Sequence, residues 1–269
     1  MRRGWVALSL GRPYSGIVPL GAWRNILRLS ASLFALLVTI AIAACGGDGN
    51  NAGDGVIIEP VTATPTPDAA ANGSALHGFV FPIGGGCLPK GDQLMPNAAR
   101  PYRNGIHEGV DLYGVDNCVA IAGGTPVLAA RAGRVIRADL SYKDPTQAEI
   151  NAYLANPNNE SSLDQFRGRQ VWVDHGGGIV TRYAHLQSVA PGLGVGTQVT
   201  SGQLIAYVGE SGTPESVSNP GTEFHLHFEI RVGTGCVAPT ALMTVNCSFL
   251  GKDLPAAEVR RLFVAAFTP

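Results

Sequence analysis

After about residue 75 the chain consists of short apolar runs broken by glycine, and several of them alternate apolar with polar side chains at the period of two that marks a strand. The clearest is Phe-His-Leu-His-Phe-Glu-Ile at 224–230. Successive strand side chains point to opposite sides, so Phe224, Leu226, Phe228 and Ile230 share one face while His225, His227 and Glu229 share the other. The pattern predicts a strand half buried on a core and half open as a working surface. Residues 125–130 and 134–138 flank Arg131-Ala132-Gly133 and predict one hairpin; 170–174 and 179–185 flank three glycines, 176–178, and predict another. Val199 and residues 202–209 add a further strand, which makes the fold class all-β. Two helices interrupt this plan. Residues 144–155 place Pro145 in a first turn and Ile150, Tyr153 and Leu154 at helical spacing, inside an insert at 140–168. Residues 254–267 form the second helix, with Leu262, Phe263 and Phe267 available for docking.

Composition agrees: 45% apolar residues with 35 Gly and 18 Pro in 269 positions fit many short strands and turns in one sizeable domain with appendages. The first 44 residues are different. They hold five arginines, no acid and a 14-residue apolar run at 31–44, short for a membrane span and laid out like an export signal. Ile42-Ala43-Ala44-Cys45 resembles a bacterial lipoprotein processing site, which implies an acylated Cys45 as the new N-terminus and a protein exported to the cell envelope, anchored on the periplasmic or extracellular side of a membrane. The basic stretch ahead of the apolar run is long enough to place the true start downstream of Met1. Residues 45–76, rich in Gly, Asn, Ala, Thr and Pro, read as a disordered tether. With the signal removed, 14 basic residues face 20 acidic ones, a net charge of −6, which argues against nucleic acid as a partner. Four cysteines follow Cys45, and in an exported chain they read as disulfides. Of the three possible pairings, proximity in sequence favours Cys87 with Cys118 and Cys236 with Cys247.

The histidines carry the chemistry. They fall in His107-Glu108-Gly109-Val110-Asp111, in Tyr183-Ala184-His185-Leu186 and in the strand at 224–230. A zinc hydrolase needs three protein ligands and an open position where water is activated, and His107, Asp111 and His227 match that set. His185 and His225 are then left to move protons and hold a developing oxyanion. His77 and His175 read as structural, the latter at a hairpin turn, and Glu108 reads as a solvated acid pointing away from the metal. Glu229 shares the histidine face and either orients a ligand from behind or bonds to backbone.

In order along the chain, His-x-x-x-Asp at 107–111, Gly-Thr-Pro-Val at 124–127, Tyr-Ala-His-Leu at 183–186, Gly-Gln-x-Ile-Ala-x-Val-Gly at 202–209 and His-Leu-His-Phe-Glu at 225–229 resemble the lysostaphin/LytM-type zinc endopeptidases. The resemblance spans residues 77–232 and leaves 233–269 as a C-terminal extension with a cysteine pair and a helix. It implies a small, mostly antiparallel β structure with Zn2+ on the floor of a groove, held by His107, Asp111 and His227. It implies that His225 takes the proton of the attacking water, that His185 stabilises the oxyanion or passes a proton to the leaving amine, and that the substrate is a stem or bridge peptide of peptidoglycan. Tyr102 is similar to a tyrosine that some members place near the oxyanion. Segments 115–118, 140–168 and 212–223 depart from the family pattern and bear on substrate preference. Two other classes compete: a catalytically idle module of the same fold that binds the wall or activates another hydrolase, and a cupin-like metal oxygenase. The intact set of five residues weighs against the first. No histidine follows His227, which weighs against the second.

Overall fold

The computed structural model describes residues 76–103, 105–114, 116–156, 160–237 and 247–269; the export segment, Cys45 and all but the last residue of the tether lie outside the described residues. In chain order the elements are β1 (Ala99–Arg100), β2 (Gly105–Ile106), β3 (Val110–Leu112), β4 (Pro126–Leu128), β5 (Gly133–Ala138), α1 (Gln147–Ala155), α2 (Glu160–Phe166), β6 (Val171–Asp174), β7 (Ile179–Ala184), β8 (Leu186–Val189), β9 (Gln198–Val199), β10 (Leu204–Val208), α3 (Glu215–Ser218), β11 (Leu226–Val232), β12 (Ser248–Phe249) and α4 (Ala256–Ala266). Every pairing is antiparallel. The main sheet runs β12-β11-β7-β6-β5-β9, with β3 sharing an edge of β11 with β12; β4-β10-β8 form a second sheet, and β1-β2 a small ribbon.

The predicted hairpin around the triple glycine is present, with Val173 opposite Thr181 and Asp174 opposite Val180. The other predicted hairpin is not. β4 pairs with β10, whereas β5 pairs with β6 and β9, so the chain changes sheets between Leu128 and Gly133. Local glycine chemistry misleads here. Gly133 serves close approach rather than a turn, since a Cβ there would lie 2.3 Å from the Asp174 carbonyl oxygen. The connecting Ala129 and Ala130 are fully buried, and their amides are taken by Gln203 O and Tyr183 Oη at 2.8 and 2.7 Å.

The core lies between the two larger sheets and takes Val127, Ile205 and Val208 from one and Val135, Val171, Val173, Tyr183, Phe228 and Ile230 from the other. The C-terminal segment completes it. Val259, Leu262, Phe263 and Ala266 of α4 are buried in the same cluster, and Phe79 N donates to Ala266 O at 2.9 Å. Cys87–Cys118 and Cys236–Cys247 are disulfide-bonded, as sequence proximity favours.

The insert contains two helices rather than one. Thr146 caps α1, accepting from Glu149 N while the Glu149 carboxylate returns to Thr146 N, so Pro145 sits ahead of the cap rather than in the first turn. α2 was not expected. It is fixed to β5 by Asp164, which accepts from Arg137 Nη1 and Nη2 at 2.9 and 3.0 Å.

Candidate metal centre and active site

β3 and β11 pair so that Asp111 stands directly opposite His227, which puts both side chains on one face of the sheet. His107 is delivered by the turn before β3, its amide donating to Ala98 O at 2.8 Å. Gly109 lets that turn lie flat on β11: a Cβ there would come within 2.5 Å of Phe228 O and 2.9 Å of His227 Nε2. The result is a triangle of donor atoms. His107 Nε2 is 3.0 Å from Asp111 Oδ1 and 3.1 Å from His227 Nδ1, and His227 Nδ1 is 2.8 Å from Asp111 Oδ1. The outer ring nitrogens are engaged as well: His107 Nδ1 lies 3.1 Å from Met95 O and His227 Nε2 3.0 Å from Glu229 Oε1. Each contact assigns its hydrogen to the outer nitrogen and turns the other nitrogen's lone pair inward. Arg100 Nη2 holds the remaining oxygen of Asp111 at 3.3 Å.

Burial pushes His107 below its ordinary value and keeps it neutral. Burial acts the same way on His227, but its bonds to Asp111 and Glu229 outweigh it and raise the pKa. Asp111 is held well below the carboxylate range by His107 and His227, against the opposing effect of burial. Two imidazoles and a carboxylate, each under a tenth exposed and converging at about 3 Å, are a donor set suited to a borderline-soft divalent cation such as zinc.

His185 and His225 stand beside this triangle with ring centroids 4.5 Å apart. His185 Nδ1 lies 2.9 Å from Ser211 O, and His225 Nδ1 2.7 Å from Glu223 O. A carbonyl only accepts, so both rings carry hydrogen on Nδ1 and present Nε2. His185 sits between β7 and β8 at φ +58°, a left-handed conformation that a non-glycine residue adopts at a cost and that often marks a functional position. Burial, reinforced by His225 and His227, holds its pKa well below the usual value. His225 stacks on Tyr113, centroids 4.5 Å apart and planes 14° from parallel, and Tyr113 Oη donates to Glu223 Oε2 at 3.0 Å.

The histidine face of β11 is open at one end only. His225 and His227, 5% and 7% exposed, line a groove, whereas Glu229, 0% exposed, is covered by a buried charge cluster where the alternation predicts working surface. Glu229 receives Arg182 Nη1 at 3.0 Å and Arg231 Nη1 at 2.5 Å. Glu108 is likewise not the solvated acid expected from its position; it is 8% exposed and paired with Arg167 at 2.5 Å. The physical reason is convergence, since the turn after α2 brings Arg167 while β7 and β11 bring Arg182 and Arg231. Arg182 also stacks over Trp172, its Cζ 4.2 Å from the ring centroid, and burial lowers its pKa to about 9, which leaves it charged at neutral pH. His175 is structural as expected, with ring contacts to Ala132 O and Thr181 Oγ1.

A groove of about 660 Å3 opens above the triangle. His107, Asp111, His185, His225 and His227 all line it, as do Leu154, Leu163, Phe166 and Arg167 from the insert and Thr213, Pro214, Glu215 and Glu223 from the long loop. Two of the three departing segments therefore shape it; among the described residues of 115–118 none does. Tyr102 lines the groove at 61% exposure and forms no side-chain hydrogen bond among the described residues. Arg100, Tyr113, Arg167, Arg182 and Arg231 are contributors that sequence reasoning missed. The one available signal was the polar alternation of Glu229 and Arg231 on β11 facing Arg182 on β7.

Among curated proteins there is no significant match. Solved structures similar to this chain include a zinc-containing peptidase from Vibrio cholerae, at 22% identity over 67% of this chain with a TM-score of 0.38. The catalytic domain of lysostaphin from Staphylococcus simulans is 24% identical over 58% of this chain and 80% of its own, with a TM-score of 0.32. This chain spans 41% of the length of the Vibrio cholerae peptidase. The family model described as Peptidase family M23 matches residues 105–239, half of the chain and the half that holds all five site residues; this chain belongs to peptidase family M23.

Proposed function

We propose that this chain is a zinc-dependent endopeptidase that hydrolyses peptide cross-links of bacterial peptidoglycan, exported and held at a membrane through an acylated Cys45. The observation that carries the reading is the convergence of His107 Nε2, His227 Nδ1 and Asp111 Oδ1 at 2.8–3.1 Å in a groove that also presents His185 and His225. Zinc held by His107, Asp111 and His227 would polarise a scissile carbonyl and lower the pKa of water to about 7.

The remaining chemistry belongs to the chain. His225 is fixed through Nδ1, and its Nε2, 3.9 Å from Asp111 Oδ1, is the proton acceptor for the attacking water. His185 is held neutral by burial with Nδ1 on the Ser211 carbonyl, so its Nε2 takes up a proton before it gives one. That fits transfer to the leaving amine better than a standing oxyanion donor. Arg100 keeps Asp111 to one free oxygen. The lipoprotein reading rests on Ile42-Ala43-Ala44-Cys45 and the apolar run before it; no helix among the described residues is long and apolar enough to cross a membrane.

The test is to purify the protein, quantify bound zinc and digest peptidoglycan with and without a chelator, identifying new peptide termini by mass spectrometry. Stoichiometric zinc and chelator-sensitive new amino termini are expected. Wall binding without zinc or cleavage would replace the enzyme with a binding module. Loss of labelled fatty acid incorporation in Cys45→Ala checks the anchor.

A further inference from the structure

The groove lining holds three guanidinium groups, and they are not equally occupied. Arg100 is committed to Asp111 Oδ2 and to the carbonyls of Gln93 and Ala99. Arg167 is 5% exposed and holds Glu108 through Nη2, but its Nη1 is buried with no hydrogen-bond partner. Arg103, in the 3-10 turn Pro101–Arg103 between β1 and β2, lines the groove, donates only to the Ile106 carbonyl and pairs with no carboxylate among the described residues. Most acids of the lining are engaged: Glu108 by Arg167, Asp111 by Arg100 and two histidines, Glu223 by Tyr113. Glu215 lines the groove as well and forms no ion pair with Arg103. A guanidinium that lines a peptide groove without an internal carboxylate is suited to a carboxylate brought by the ligand, through a planar, two-pronged contact. Leu154, Leu163 and Phe166 of the insert add apolar surface to the same groove.

We propose that Arg103, in a groove that also carries Arg167 and apolar side chains of the insert, forms a specificity subsite for a carboxylate carried by an aliphatic residue next to the scissile bond. The inference rests on the endopeptidase reading and deepens it. The substrate is then a direct cross-link between amino acids that bear side chains and free carboxylates, not a glycine bridge, which offers neither group to this wall.

The test uses the full zinc-loaded chain and three synthetic cross-linked peptides. One bears a carboxylate beside the scissile bond, the second is identical with a carboxamide in its place, and the third carries a pentaglycine bridge. Both Kd and kcat/KM are measured for wild type, Arg103→Gln and Arg103→Lys. The carboxylate peptide is expected to be preferred about tenfold or more over the carboxamide, the scale of one charge-assisted contact. Arg103→Gln brings the two within about twofold, while Arg103→Lys keeps part of the preference. Because direct coordination of the carboxylate to zinc would not depend on Arg103, the variants separate the two sources of preference. Equal kcat/KM and Kd for carboxylate and carboxamide, or preferred cleavage of pentaglycine, overturns the subsite and leaves the peptidase standing. An Arg103-dependent difference in Kd without hydrolysis of any peptide supports the subsite and overturns the peptidase. Neither cleavage nor preference overturns both.

Discussion

On one face of β11, Leu226, Phe228, Ile230 and Val232 are 0–5% exposed; on the other, His227, Glu229 and Arg231 are 0–7% exposed, yet the two faces are buried for different reasons. The apolar face enters the main core and gains by leaving water. The polar face gains nothing from burial as such, because removing charges from water costs more than their attraction returns unless geometry and hydrogen bonding are good. Here Glu229 meets Arg182, Arg231 and His227, and Glu108 meets Arg167, with Arg231 Nη1 3.5 Å from it. What that arrangement accomplishes is orientation. Glu229 turns His227 so that Nδ1 faces His107 and Asp111, and the arginines hold Glu229 charged, well below its ordinary pKa despite burial.

The largest break in this comparison comes from the metal-facing end. His107→Ala or Asp111→Ala should lose bound zinc and activity together, measured by metal analysis and peptide hydrolysis. His185→Ala should keep zinc while its turnover falls by about 10²–10⁴. A zinc-replete His107→Ala enzyme with the wild-type rate would sink the ligand assignment.

Next come two neighbours on opposite faces. Phe228→Ala should cost about 3–5 kcal/mol through the cavity it leaves. Glu229→Gln should cost a similar 3–5 kcal/mol by leaving buried arginines short of negative charge. Denaturant unfolding should thus rank them alike, but only Glu229→Gln should weaken zinc binding, by about 10–100-fold in a competition titration. Equal zinc affinity in the two variants would remove the orienting role of the polar face.

Smaller effects test the edges of the site. Tyr113→Ala removes the ring stacked on His225 and should lower kcat/KM by about two- to tenfold with zinc content unchanged. The smallest concerns the insert. Burial raises the Asp164 pKa, but its bonds to Arg137 and Gln170 outweigh that and set it below the ordinary value. A carboxyl lowered on folding contributes stability that is complete above its unfolded value, near 4, and that fades as pH falls through the folded value. Asp164→Asn should therefore flatten the acid limb of stability below about pH 4 and cost about 1 kcal/mol at neutral pH, read from thermal unfolding.

Much of the site was legible because its residues lie in short motifs with local meaning. His107 and Asp111 are four positions apart, and His225 and His227 share a face by strand periodicity alone. The hairpin around the triple glycine was legible for the same reason. The contrasting error at Arg131-Ala132-Gly133 arose because a turn-like tripeptide can equally be a crossing between sheets, and only partners distant in sequence, β10 for β4 and β6 for β5, decide which. The second insert helix escaped because its Glu-Ser-Ser start carries little apolar periodicity.

The sequence by itself determined the all-β class and the family, singled out five candidate site residues and favoured the cysteine pairing found in the structure, since each depends on patterns within a few positions or on cysteine proximity. Only the tertiary structure decided that Glu108 is buried, that Arg167, Arg182 and Arg231 gather around Glu108 and Glu229, and that Arg103 lines the groove with no paired acid among the described residues. Charges on four separate segments show their partners only after folding brings them within a few ångströms, because the energy of an ion pair depends on distance and burial and neither is written locally in the chain.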